Sequence, residues 1–385
     1  MRGKAVPAII LAALTALAWG IEPARAESVP FSSGRWEIRG NSRLEPYLGN
    51  ESLYLKGGIA WLKDVDLLDG IIEFDIAVPD ERGFMGAVWR LQDRGNYEEF
   101  YIRPHQSGNP DANQYTPVFN GLAAWQLYYG EGYAAPVTYR FNAWMHVRIV
   151  FAGGRGEVYL DSDEPILEIR AMKREIRSGR VGVVCADFTW ARFANFSYTP
   201  ADLSALRGRP VAAAATPAGT VEAWLVSGEL DERSLDGKSF LTASDTKDLR
   251  WDRVPTESTG ILNLASVRRL AKGADTVFTR LVIRSDRAQV KRLSFGYSDR
   301  VRAWFNGRLI YGGSHLYQLR DYRYLGTIGL FDDLYLPLRE GDNELWLAVS
   351  ERSGGWGVLG RFEDMKGIEL VGLPAPPPAP RPADP

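Results

Sequence analysis

"GAVWRLQDRGNYEEFYIRP", residues 86–104, decides the fold. Asp93-Arg94-Gly95-Asn96 reads as a turn between two runs in which apolar and polar residues alternate, the period of half-buried strands. With that turn, Gln92 faces Tyr97, Arg90 faces Glu99 and Trp89 faces Phe100. Ala87, Trp89, Leu91, Glu98, Phe100 and Ile102 then share one face, which is core apart from Glu98 beside the turn. Val88, Arg90, Gln92, Tyr97, Glu99, Tyr101 and Arg103 share the other, a polar and aromatic face that meets water or a ligand. Glu98 and Glu99 resemble a catalytic pair but point to opposite faces, so they cannot converge on one bond. Glu99 opposite Arg90 reads as a cross-strand ion pair.

Outward from the hairpin the pattern persists. Residues 70–78, GIIEFDIAV, turn Ile72, Phe74, Ile76 and Val78 inward. Helix signals are scarce and Gly/Asn/Asp turns recur. The expectation is an all-β chain of two antiparallel β-sandwich (jelly-roll) domains in tandem. Residues 200–220, PADLSALRGRPVAAAATPAGT, lose aromatics and gain Ala and Pro, as a linker does. The halves are therefore 27–199 and 221–372, and the Pro-rich 373–385 is expected to be a disordered tail.

The chain opens with Arg2 and Lys4, an apolar run over residues 5–19, and Ala24-Arg25-Ala26, the pattern of a cleaved signal peptide over 1–26. A periplasmic or secreted location is expected, with no transmembrane segment, because no run reaches about 18 apolar residues. That leader carries Arg2, Lys4 and Arg25 against Glu22, so its removal takes the formal charge from −2 to −4. With so even a balance and no basic run, nucleic acid is not an expected partner. Cys185 is the single cysteine, which excludes an intrachain disulfide, and it lies in an apolar run that suits a buried structural thiol.

Two resemblances follow from these motifs. The hairpin above, "GIIEFDIAV" before it and "NAWMHVRIVFAGGRGEVYLDSDEPILEI" after it resemble the concanavalin A-like lectin/glucanase superfamily, particularly its laminin G-like modules. That likeness covers about residues 50–199. It implies a jelly roll of two curved sheets with ligands on the concave sheet or its edge loops, in a superfamily of lectins, hydrolases and spacers. "VRAWFNGRLIYGG" and "LYLPLREGDNELWLAVSE" are similar to the hairpins of galactose-binding-like jelly rolls, which implies a second sandwich that is often structural.

Laminarinase-type glucanases of the first superfamily carry E-x-D-x-E or E-x-D-x-x-E, with carboxyls about 5–5.5 Å apart. Glu73-Phe74-Asp75 begins such a motif, but its last position falls on Ala77 or Val78, so the proton donor is missing. No catalytic residue is assigned. His105, His146 and His315 lack zinc spacing. Asp111, Asn113 and Asn120 offer loop oxygens of the kind calcium uses, without D-x-D-x-D spacing; Asx turns are the preferred reading and no cofactor is expected. Pro104 to Gly121 reads as a long functional loop. Sugars present a polar edge and an apolar face, so their binders combine flat side chains with short amides and carboxylates. The expected carbohydrate site has Arg90, Glu99, Tyr101 and Arg103 as floor. His105, Asp111, Gln114, Tyr115, Asn120, Trp125 and Gln126 form its wall. Non-covalent carbohydrate binding is thus the leading expectation. A glycoside hydrolase, including one of the 3-keto-disaccharide hydrolase type, and a non-binding envelope scaffold are the alternatives.

Overall fold

The computed structural model describes residues 25–212, 214–319, 321 and 324–372. The leader, save Arg25 and Ala26, and the Pro-rich tail lie outside the described residues. Among the described residues the regular structure is almost entirely antiparallel strand. Up to residue 200 it forms β1 (Glu27–Ser28), β2 (Trp36–Tyr47), β3 (Asn50–Leu62), β4 (Gly70–Ala77), β5 (Met85–Asp93) and β6 (Asn96–Ile102). Then come β7 (Asn113–Phe119), β8 (Leu122–Ala123), β9 (Met145–Ala152), β10 (Arg155–Leu160), β11 (Leu167–Ile169) and the long β12 (Arg180–Pro200).

These strands form one hydrogen-bonded system that folds over itself. One layer runs β11-β10-β9-β4-β12, the other β12-β5-β6-β7-β8. β12 belongs to both, pairing with β5 over Arg180–Cys185 and with β4 over Arg192–Pro200. β3 accompanies it through the corner, where the register breaks between Cys185 and Trp190. Glycines make that corner possible. A Cβ on Gly40 would lie 2.1 Å from Gly57 O and one on Gly58 1.9 Å from Arg39 O, and all three residues have positive φ. Between the layers lies the core of Leu55, Ile72, Phe74, Ile76, Trp89, Phe100, Phe151, Phe193 and their neighbours, with Cys185 buried among them.

The described residues of 201–220 carry a short 3-10 turn, Leu203–Ala205, and a single β-bridge from Thr220 to Arg361, and are mostly exposed. They are nevertheless tied to the first half, because Arg207 N and Gly208 N both donate to the buried carboxylate of Glu157.

The second half contains β13 (Ala223–Leu230), β14 (Trp251–Pro255), β15 (Leu262–Asn263), β16 (Thr276–Ser285), β17 (Gln289–Ser298) and β18 (Arg300–Phe305). It ends with β19 (Arg308–Ser314), β20 (Asp332–Leu338), β21 (Gly341–Ser350), β22 (Gly357–Phe362) and β23 (Ile368–Val371). A sheet ordered β14-β13-β16-β21-β18-β19 packs on a sheet ordered β15-β22-β17-β20. The Asn306-Gly307 turn joins β18 to β19 as read from the sequence, with both residues left-handed. The second expected hairpin is corrected. β20 pairs with β17 while β21 pairs with β16 and β18, so the Arg339-Glu340 turn carries the chain from one sheet to the other.

A buried seam joins the halves. Ala124, Leu127 and Tyr128 pack with Ile328 and Leu359, and Phe119 enters the core of the second half. Gln126 adds backbone bonds, donating to Gly354 O (2.8 Å) and accepting from Ile328 N (3.0 Å). Lys173 Nζ and Tyr128 OH both reach the carboxylate of Glu257.

Candidate functional site

The site follows from register. Residues directly opposite one another in an antiparallel sheet project to the same side. Trp61, Gly182, Val88, Glu99 and Thr116 are successive partners across β3, β12, β5, β6 and β7. They form one row on the face turned away from the core. Two residues along, Ile59, Val184, Gly86, Tyr101 and Gln114 form the next row on that face. Strand alternation adds Phe84 and Arg103 beyond it, and Arg180 with Tyr97 at the opposite end. Three steps of two residues, at about 3.4 Å per residue, make a strip roughly 20 Å long.

Its floor is apolar: Ile59, Trp61, Val88, Leu91 and Val184 cluster there, with Tyr97 against them. Its polar groups are incompletely satisfied. Trp61 Nε1 and Thr116 Oγ1 are buried with no hydrogen-bond partner among the described residues. Between them stands Glu99, partly exposed, with no ion pair or hydrogen bond among the described residues. Desolvation within the sheet face, uncompensated by any partner, pushes its carboxyl up to about 8, so it is mostly protonated at neutral pH. At one end the rim is aromatic. Phe84 meets Tyr101 edge-on at 5.7 Å, His105 at 5.3 Å and Phe188 at 5.8 Å, and the Phe188 ring is 60% exposed.

Of the residues expected in the site, Glu99, Tyr101, Arg103 and Gln114 share this face. Arg103 donates to Tyr101 OH (2.9 Å) and to Gln114 Oε1, and lies 3.4 Å from Asp111 Oδ2. Gln114 Nε2 in turn donates to Trp125 O and Tyr128 O. His105 sits on the 3-10 turn Pro104–Gln106 beside Phe84, and desolvation with Arg82 and Arg103 nearby lowers its pKa.

The others are placed elsewhere. Arg90 is corrected: it lies at a bulge, with φ 47°, where the β5–β6 register shifts between Trp89 and Asp93. Val88, not Arg90, therefore faces Glu99, while Trp89 faces Glu98 and Ala87 faces Phe100. The Arg90 guanidinium turns inward to Asp69 Oδ1 (2.8 Å), Leu68 O and Gly153 O, so the expected Arg90–Glu99 pair does not form. Beyond the bulge Leu91 joins the buried cluster on the outer side of the sheet instead of the core between the layers. Tyr115 is corrected too. It is on the core side of β7, its hydroxyl donating to Glu98 (2.6 Å) and accepting from Lys173 N. Glu98, fully buried, is raised to about 7 by desolvation.

The long loop is also corrected, since residues 113–119 are a strand inside the sheet. Asn120, Trp125 and Gln126 belong to the seam between the halves. Asn120 Nδ2 donates to Ala265 O, Trp125 meets Tyr317 edge-on at 6.1 Å, and Gln126 Nε2 donates to Leu325 O. Asp111, Asn113 and Asn120 do not gather around one point. Asn113 is buried with its amide on Ala135 O, and no group of three or more acidic, histidine or cysteine side chains among the described residues is arranged to hold a metal. No helix among the described residues is long and apolar enough to cross a membrane.

Glu73 and Asp75 face outward on β4, while Ala77 and Val78 are buried. His146 bridges the two carboxylates, 2.8 Å from Asp75 Oδ1 and 3.7 Å from Glu73 Oε1, which lifts its pKa to about 9.

Trp61, Phe84, Thr116, Arg180 and Phe188 were not singled out in the sequence. Their juxtaposition depends on the lateral order β3-β12-β5-β6-β7, which brings residues about 120 positions apart side by side. A short-range pattern carries no trace of it.

No protein-family model matches the chain, and no curated protein matches it. Among solved structures it is similar to the carbohydrate-binding module CBM66 from Bacillus subtilis, with 18% identity over 43% of this chain and 95% of that one, TM-score 0.34. A putative glycosyl hydrolase from Parabacteroides distasonis aligns at 12% identity over 44% of this chain and 89% of its own, TM-score 0.31. A protein of unknown function with a galectin-like fold from Bacillus subtilis aligns at 10% identity over 43% and 88%, TM-score 0.33.

Proposed function

We propose that this is an exported, two-module protein that binds an oligo- or polysaccharide non-covalently on the open face of its first half. One observation carries the reading: Trp61 Nε1, the Glu99 carboxyl and Thr116 Oγ1 lie in a single lateral row, all unpaired among the described residues. Buried polar groups ordinarily have partners. A donor, a neutral acid and a hydroxyl beside an apolar floor and an exposed ring suit a molecule with hydroxyls on its edges and C–H on its faces.

Hydrolysis is disfavoured by spacing. Two-carboxylate glycosidases hold their acids within about 5–9.5 Å. In the row of Glu99 the next carboxylate is Glu37, four strands away, or about 19 Å at the usual strand separation. Glu98 is on the other side of the sheet.

The test is a glycan array probed with the full chain, followed by titration of the best ligand into Thr116→Val and Phe188→Ala. Both substitutions leave the core intact, one by conserving shape and the other because the ring is exposed. Affinity should fall for both and melting should not. Unchanged binding in both variants would place the ligand elsewhere.

A further inference from the structure

We propose that the bound glycan is anionic, and that its acidic group, a carboxylate or a sulfate, seats on Arg180 at the end of the open face. This rests on the open-face reading above. Arg180 precedes Gly182 by two residues on β12, so it projects to the same side as Trp61 and Glu99. Its guanidinium lies 5.7 Å from the Trp61 ring centroid. Nη2 donates to Gln92 O at 2.5 Å and Nε to Leu91 O at 3.5 Å, so two carbonyls at the end of β5 hold the group in place. Among the described residues no carboxylate lies within ion-pair distance of it, whereas Arg90, Arg103 and Arg192 each meet one.

A half-buried cation held by carbonyls alone keeps its charge uncompensated and has donor capacity to spare. A planar fork of this kind suits carboxylate and sulfate oxygens better than a sugar hydroxyl. The rest of the strip does not oppose an anion. Glu37, at the Trp61 edge, is already held by Arg39 at 2.6 Å, and desolvation pushes the Glu99 carboxyl up to about 8, which keeps it mostly protonated at neutral pH. At the far end Arg103 adds a further positive charge, shared with Asp111.

The experiment is calorimetric titration of the full chain with three probes of matched length: an oligogalacturonate, its carboxyl-reduced neutral counterpart and a sulfated galacto-oligosaccharide. Binding to at least one charged probe and not to the neutral one is expected, weakening as salt rises from about 50 to 300 mM. The charged probe that binds distinguishes carboxylate from sulfate. Arg180→Gln, which keeps a donor for the carbonyls, should weaken that binding about tenfold or more. Equal affinity for the neutral probe, or unchanged affinity in Arg180→Gln, overturns the inference, as does failure of all three probes to bind. Phe188→Ala separates the two claims. If it abolishes binding while Arg180→Gln does nothing, the open face stands and the anionic ligand falls. If a probe binds and neither variant matters, both fall.

Discussion

Glu99→Gln tests the electrostatics of the open face without changing its shape. The wild-type carboxyl titrates at about 8 in the fold against 4.5 in the open chain. Between those values the folded protein holds a proton that the unfolded chain has released. The contribution is therefore complete below pH 4.5 and is lost as pH rises through 8. At about 1.4 kcal/mol per pKa unit, the loss amounts to roughly 4–5 kcal/mol by pH 9. Glutamine mimics the neutral acid and does not titrate. In urea unfolding followed by tryptophan fluorescence, the variant should match the wild type at pH 4 and exceed it by roughly 3–5 kcal/mol at pH 9. Glu98, displaced in the same direction to about 7, remains in the variant and leaves it a shallower decline. Two stability curves that fall in parallel from pH 5 to 9 would show that Glu99 ionises as an ordinary surface carboxylate, and the unpaired neutral acid would go with it.

Glu257→Ala should strip the acceptor from Lys173 and Tyr128 at once and cost roughly 2–4 kcal/mol, because Lys173 would be left nearly buried and unpaired. After proteolytic nicking within residues 201–220, the wild-type fragments should co-elute on gel filtration and those of Glu257→Ala should separate. Trp89→Ala should cost about 3–5 kcal/mol in chemical unfolding, since the ring is fully buried between Phe151 and Tyr115. His146→Gln should remove at most about 1 kcal/mol at pH 6, the side chain being half exposed. With a folded pKa near 9, that contribution is full below 6.5 and fades as pH rises through 9, so the two proteins should converge at pH 10.

The sequence made some of this legible and hid the rest for physical reasons. The period of two on β6 separates Glu98 from Glu99, and the structure puts them on opposite faces. The same period misplaces Arg90 because a left-handed residue at a bulge breaks the alternation locally, sending Arg90 inward and Leu91 to the outer face before Asp93 pairs with Asn96. A non-glycine residue there leaves no mark in the pattern. β7, Asn113-Gln114-Tyr115-Thr116-Pro117-Val118-Phe119, is hidden in the sequence because Asn and Pro both argue against a strand. Its geometry explains why Pro117 is tolerated. Tyr115 N points away from β6 to Tyr133 O, and Pro117, two residues on, turns its missing donor to that same outer side. The β6 ladder loses nothing.

The seam explains why the wall of the expected site was partly misassigned. Asn120, Trp125 and Gln126 offer the short amides and flat ring that suit sugars. The same chemistry suits protein carbonyls, and here the partners are Ala265 O, Leu325 O and the ring of Tyr317, some 140 to 200 residues away. The fit at this seam is close. A Cβ on Gly354 would lie 2.2 Å from Gln126 Oε1, so the second half presents bare backbone where the first half's amide enters. Side chains already engaged in such a contact are not available to a ligand. Among the described residues of the first half, hydrogen-bonding capacity is left unmet at buried atoms of Trp61, Arg90, Asn113 and Thr116 and at Glu99, and of these Trp61, Glu99 and Thr116 lie in one row. Composition selects the chemistry of a recognition surface. Which side chains the fold has already partnered decides whether that surface faces another part of the chain or a ligand.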